Sequence, residues 1–312
     1  MQSCGNGGQH TKKIKNLTMF INAIETASEF TRPIHTITKT YKGTDIIPGA
    51  ATLFFINDEG YALTCKHVVE LLLQSEIIKD NYNKFKVERN LLKKGKNYNR
   101  QLRALLLKYN IKNDTTVLIK NSFIDCVDKM SGFSTIVHPH LDLALIKFND
   151  FSHLNTPNFA VFKKDTLDIK QGKFLCRLGY PFPEFTNFNY NKTSDDIEWN
   201  STGQNGSPKF PIEGMITRFL RDQNGEFGIE LSTPGLRGQS GGPLFDSDGI
   251  VYGMQSRTKH LHLGFDIENK EILSKGKLKK VNNYSFLHLG ECIGVKTIKD
   301  FLKQNNVSFQ EK

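Results

Sequence analysis

Apolar positions along the chain repeat with two periods, and the shorter one dominates. Ala51-Thr-Leu-Phe-Phe-Ile56 and Tyr61-Ala-Leu-Thr64 are β-rich runs flanking the turn Asn57-Asp-Glu-Gly60, which predicts a hairpin. After Pro33, the alternation of Ile34, Thr36 and Thr38 with His35 and Ile37 predicts a strand. Strand patterns resume at Thr115–Ile119, Phe123–Val127, Leu141–Phe148, Gly172–Leu178, Glu213–Arg218, Gly228–Leu231, Pro243–Phe245 and Ile250–Gln255. Helical spacing is confined to a few places: Leu17 to Phe30, one short turn at 68–73, Asn90 to Tyr109 through Leu91, Leu92, Leu102, Leu105 and Leu106, and Val295 to Gln304. Many short strands at near-even spacing, with helices at the two ends, predict an all-β antiparallel barrel architecture. Residues 1–14, rich in Gly, Asn, Gln and Lys, predict a disordered tail. No internal repeat, low-complexity tract or Pro/Gly-rich linker divides the chain.

Composition narrows the class. A chain of 312 residues with 38% hydrophobic content can bury a real core, as one large domain or two closely packed halves. Its longest apolar runs, such as Ala51 to Ile56, are too short to cross a bilayer, and the polar, lysine-bearing N-terminus predicts no signal peptide. Cys4, Cys65, Cys126, Cys176 and Cys292 are scattered, odd in number and never at metal-ligand spacing, which points to a reducing, cytoplasmic setting. The net charge of +10 is concentrated between Ser75 and Thr135, where 13 Lys/Arg face 6 Asp/Glu. That basic insertion is either a solvated, solubilising segment or the docking site of a regulatory protein or nucleic acid.

Three segments carry chemistry. Gly238-Gln-Ser-Gly-Gly-Pro243 sets a hydroxyl among glycines, whose tolerance of unusual backbone angles permits a tight turn presenting Ser240. The N–H groups of Gly238 and Ser240 are the candidates for stabilising an oxyanion. In Gly60-Tyr-Ala-Leu-Thr-Cys-Lys-His-Val-Val69, His67 follows the hairpin's second strand directly, where a general base can leave the sheet and enter a cleft. Asp142 opens the alternating strand of His140-Leu-Asp-Leu-Ala-Leu-Ile-Lys147, a place suited to orienting an imidazole; Asp150, which begins a loop, competes less well.

In the order His, Asp, Ser, these segments resemble the trypsin/chymotrypsin-like serine peptidases, most closely the protease domain of the HtrA (Do) family. Gly60-Tyr-Ala-Leu-Thr is similar to that family's strand before the histidine, and Leu141-Asp-Leu-Ala-Leu-Ile to its aspartate strand. Leu178-Gly-Tyr-Pro-Phe182 resembles its Gly-x-Pro-Phe loop, while Gly238-Gln-Ser-Gly-Gly-Pro-Leu-Phe245 with Asp248-Gly-Ile-Val-Tyr-Gly-Met254 resembles its nucleophile hairpin. Ile293-Gly-Val-Lys-Thr-Ile298 falls where the family enters its last helix. The resemblance spans about residues 34–303, interrupted by 75–135. It implies two packed six-stranded antiparallel β-barrels: a first of about 31–150 holding the insertion 75–135, a second of about 170–294, a C-terminal helix at 295–304 and a tail at 305–312. It implies a triad of His67, Asp142 and Ser240, with Gly238 as an oxyanion donor and Ser256 lining the substrate backbone.

Departures from the family pattern matter as much. Gln239 stands where zymogen-type relatives carry an aspartate, no Ile-Val-Gly-Gly-like start exists, and the disulfides of secreted relatives are missing. No PDZ module is expected after the protease domain. The expected activity is serine endopeptidase action on protein or peptide substrates through an acyl-enzyme, with no metal or organic cofactor. In the matched fold the primary pocket is walled near Pro234–Leu236, Ser256–Thr258 and His288–Cys292, so Thr258 and Glu291 are candidate substrate contacts. Glu291 would there favour Lys or Arg, the alternative being a solvent-facing carboxylate. His260 and His262, on an expected surface loop, read as decoration rather than zinc ligands. Two rival readings remain: a catalytically idle protease fold acting as a scaffold, and a nucleic-acid-binding protein using the insertion, whose interleaved aromatics are limited to Tyr82, Phe85 and Tyr98.

Overall fold

The computed structural model describes residues 19–43, 45–261, 269–274, 276–281 and 287–312. The expected tail at 1–14, Leu17, Cys4 and His262 lie outside the described residues. Among the described residues, twelve strands form two antiparallel six-stranded systems. The first holds β1 (Thr31–Thr40), β2 (Ile46–Phe55), β3 (Tyr61–Thr64), β4 (Thr116–Phe123), β5 (Gly132–Val137) and β6 (Ala144–Asn149), ordered β4-β1-β2-β3-β6-β5. The second holds β7 (Phe174–Gly179), β8 (Phe210–Asp222), β9 (Gly225–Leu231), β10 (Pro243–Phe245), β11 (Val251–Leu261) and β12 (Leu287–Gly294). Their order is β10-β7-β8-β9-β12-β11, and the β10–β11 ladder, with Pro243 opposite Met254, closes the ring. Closure leaves the six strands of this ring no open edge. Val161–Phe162 and Gln310–Glu311 add short parallel pairings outside β11. The expected all-β, two-barrel architecture is the one observed.

The main core sits between the barrels. Phe54 and Leu63 from the first, Leu178 and Phe245 from the second, and Ile298 and Leu302 from the C-terminal helix α4 (Val295–Gln304) are all fully buried in one cluster. A helix at the other end, α1 (Ile21–Phe30), contributes Ala23, Ala27 and Phe30 to the same cluster. A separate cluster of Leu175, Ile216, Leu231 and Leu244 fills the second barrel.

Between β3 and β4 the chain departs from expectation. The short turn anticipated at 68–73 is the start of a 26-residue helix, α2 (Lys66–Leu91), followed by α3 (Tyr98–Lys108). No Gly or Pro occurs from Tyr61 to Lys94, so nothing in the sequence terminates the helix early. Moreover, β4 and the first four residues of β5 fall within the expected insertion 75–135 yet belong to the first sheet, β4 pairing along β1 from Ile34–Phe123 to Thr40–Thr116. The helical insertion is also docked. Phe85, Leu105 and Ile111 are buried against Ile37, Val117 and Phe185. Each such side chain contributes roughly 1.5–3 kcal/mol, enough together to hold the helices on the barrel. No helix among the described residues is long and apolar enough to cross a membrane.

Candidate active site

His67 stands in the first turn of α2, just beyond Lys66 and the N-cap Cys65. A helix start leaves backbone N–H groups without intrahelical acceptors, and Cys65 supplies no side-chain cap. Asp142, arriving from the bend just before β6, fills that need: its Oδ1 accepts the His67 N–H at 3.1 Å. The same carboxylate accepts from the imidazole, with Nδ1 at 3.0 Å from Oδ1 and 2.9 Å from Oδ2. Ser256 Oγ, on β11 of the other barrel, donates to Oδ2 at 2.7 Å. One carboxylate therefore caps the helix, orients the ring and ties the barrels together.

The electrostatics follow from these contacts. Burial alone would raise the Asp142 carboxyl, but hydrogen bonds from the His67 ring, Ser256 Oγ and the His67 N–H hold it at about 2. It is ionised at neutral pH and can only accept, so the imidazole proton sits on Nδ1 and leaves Nε2 with a free lone pair. The hydrogen bond to Asp142 raises the pKa of His67 above its ordinary 6.5, opposed by partial burial and aided by the charges of Asp142 and Glu70. His67 stays accessible, its side chain 52% exposed against 26% for Asp142.

Ser240 is presented by two consecutive turns that share Gln239. Gln239 N–H donates to Leu236 O at 3.0 Å, and Gly242 N–H donates to Gln239 O at 2.9 Å. The third residues of these turns, Gly238 and Gly241, have φ of +94° and +87°, the type II signature that only glycine adopts without strain. A Cβ on Gly241 would also stand 2.1 Å from the Thr52 carbonyl oxygen. Thr52 anchors the loop from the first barrel: its N–H donates to Ser240 O at 3.0 Å and its Oγ1 to Gly238 O at 2.6 Å. Gln239 is fully buried, with Oε1 accepting from Leu236 N–H at 3.0 Å and Nε2 donating to Phe210 O at 2.9 Å. Among the described residues, neither the Gly238 nor the Ser240 N–H donates a hydrogen bond, so both are available to an incoming oxyanion.

Ser240 Oγ donates to the Ser256 carbonyl at 3.3 Å rather than to His67. His67 and Ser240 nonetheless border the same space. Both line a cavity of about 310 Å³ with Gly238, and both line a second of about 520 Å³ with Ser256 and Thr258. Glu291 does not line either cavity. It is buried, and its Oε2 pairs with Arg257 Nε at 2.5 Å. Asp150 accepts from Ser131 Oγ at 2.7 Å and makes no bond to His67.

Cys65, His67 and Asp142 are the one group of three metal-capable side chains among the described residues. Burial pushes the Cys65 thiol well up, and its Sγ donates to Gln255 O at 3.2 Å, so it is no thiolate ligand. Sequence reasoning did not find Thr52, Gln255 or the Ser256–Asp142 bond, because each is a contact between the two barrels that no local pattern announces.

Comparison with known proteins places this geometry in context. The family described as a trypsin-like peptidase domain matches residues 51–254, a stretch containing His67, Asp142 and Ser240. No curated protein matches the chain. Among solved structures, the Rv3671c protease from M. tuberculosis, in its active form, aligns with a TM-score of 0.44 at 13% identity, over 92% of this chain and 86% of that one.

Proposed function

The chain belongs to the trypsin-like peptidase domain family, and from that premise we propose that it is a serine endopeptidase with Ser240 as nucleophile, His67 as general base and Asp142 as its orienting carboxylate. The observation that carries this reading is the Asp142–His67 contact at 2.9 Å beside a cleft that Ser240 shares. In the proposed cycle Ser240 Oγ leaves the Ser256 carbonyl by a side-chain rotation and attacks the scissile carbonyl carbon. Its proton passes to His67 Nε2, and the oxyanion formed is held by the Gly238 and Ser240 N–H groups. Collapse breaks the C–N bond, and the amine departs with the proton from Nε2. Water, deprotonated by the same ring, then hydrolyses the acyl-enzyme. General-base assistance supplies roughly 10²–10⁴-fold, and each oxyanion donor about 10²–10³-fold.

The test is labelling by a fluorophosphonate, mapped by peptide mass spectrometry. The reading expects one adduct on Ser240, lost in Ser240→Ala. A folded protein that takes no label would instead support the scaffold reading. A second reading concerns the insertion. Because His67 lies on the first turn of α2, and α2 continues into the basic insertion, an acidic protein or nucleic-acid partner bound there acts on the helix that carries the base. Four buried, unpaired thiols, Cys65, Cys126, Cys176 and Cys292, support a cytoplasmic setting.

A further inference from the structure

The larger cavity beside Ser240 is cationic, and its charge is not balanced from within. Its described lining includes Arg237, Arg257 and His288 but no Asp or Glu. The two arginines are not equivalent. Arg257 is neutralised by Glu291 at 2.5 Å and contributes little net charge. Arg237 is exposed, makes no ion pair or hydrogen bond among the described residues, and lines both cavities at the position two before Gln239. Also on the lining, His288 Nδ1 lies 2.6 Å from His260 Nδ1. One ring of that pair must accept at Nδ1, which leaves it an N–H donor at Nε2.

Behind the wall lies a stronger feature. Arg177 on β7 is the largest fully buried side chain among the described residues. Its guanidinium donates to Gln255 Oε1 at 2.7 Å, to Pro234 O at 3.0 Å and to Thr233 O and Oγ1 at 3.1 and 2.6 Å. None of these acceptors is a carboxylate, and its Nε has no partner. Gln255 and Pro234 themselves line the cavity. A buried cation compensated only by neutral oxygens is expensive to keep, and in a low-dielectric wall its field reaches the adjoining space with little screening.

We propose that this cavity is the primary specificity pocket and that it selects an acidic residue, glutamate or aspartate, immediately before the scissile bond, with Arg237 at the mouth and Arg177 behind the wall. This rests on the serine-peptidase reading and reverses the Lys/Arg preference that Glu291 would have conferred. The carboxylate supplies the counter-charge the wall lacks, whereas a lysine or arginine side chain meets two uncompensated cations.

The experiment measures labelling rates of Ser240 by a fluorophosphonate without a peptide and by peptidyl diphenyl phosphonates bearing Glu, Gln, Leu or Lys at the reactive position. The expected result is a Glu probe about tenfold or more faster than the isosteric Gln probe, which is what one charge-assisted hydrogen bond provides. Arg237→Glu, at an exposed position without bonds, should shift the Glu/Lys ratio towards Lys by at least the same factor. Fluorophosphonate labelling with Gln, Leu or Lys probes equal to or faster than Glu would overturn the pocket while leaving the peptidase reading intact. Failure of every probe to label Ser240 would overturn both.

Discussion

Replacing Asp142 by asparagine keeps the side chain's size and removes what makes it useful. The carboxylate accepts from three donors, the His67 N–H, the His67 ring and Ser256 Oγ. An asparagine offers one oxygen and an NH₂ group, so a donor now faces the imidazole or the serine. With the NH₂ towards the ring, Nδ1 must accept, the proton moves to Nε2, and the base has the wrong tautomer. Turnover should fall by about 10⁴-fold at pH 8. The pH profile should move as well. In the proposed cycle the neutral ring is the base, so kcat/KM should rise as pH rises through the His67 pKa. The Asp142 hydrogen bond raises that pKa above 6.5, and in the variant the acidic limb should shift to lower pH. Stability gives an independent check. A carboxyl lowered from 3.8 to about 2 corresponds to about 2 kcal/mol, present above pH 3.8 and lost as pH falls through 2. The raised His67 has the opposite sign, stabilising below 6.5 and fading above its folded pKa, but its exposure makes that contribution small. Wild type should therefore lose about 2 kcal/mol more than Asp142→Asn between pH 5 and pH 2, read by guanidinium unfolding followed by circular dichroism. Activity within threefold of wild type and an unmoved acidic limb would refute the reasoning.

Other outcomes follow from the same geometry. Gly241→Ala places a Cβ against the Thr52 carbonyl at a φ of +87°, and should destabilise by about 1–3 kcal/mol or more, with turnover abolished. Gly206→Ala, which meets nothing within 4 Å, should be nearly neutral; equal melting temperatures for the two would contradict the turn argument. If the insertion binds nucleic acid, reversing the exposed Lys93, Lys94 and Lys96 to glutamate should weaken binding of a fluorescent single strand. The slope of log affinity against log salt should become shallower by about 0.7 for each phosphate that the variant no longer neutralises. No binding by either protein at low salt would remove nucleic acid as the partner.

How much the sequence reveals depends on whether a feature is local. The hairpin carrying Tyr61–Thr64 and the helix Val295–Gln304 are legible because period and turn chemistry agree over a few residues. The length of α2 is not, because its buried positions break off between Ser75 and Tyr82 and polar residues such as Lys79, Asp80 and Asn81 interrupt the stripe. The three side chains of the site announce themselves through glycines, a strand end and a strand start. What surrounds them does not: Arg257 neutralises Glu291 across the β11–β12 ladder, and Arg177 lies far in sequence from the cavity it backs. Such pairings depend on register and on the packing of two barrels, which no single segment encodes.

The account turns on covalent chemistry at one hydroxyl, and trapping the acyl-enzyme tests it most directly. Mixing the protein with p-nitrophenyl acetate at low pH and quenching in acid should yield one equivalent of acetyl per chain by intact mass, mapped to Ser240. The adduct should be absent from Ser240→Ala and strongly reduced in His67→Ala. Acetylation spread over lysines, or a single adduct that persists without Ser240, would contradict the account.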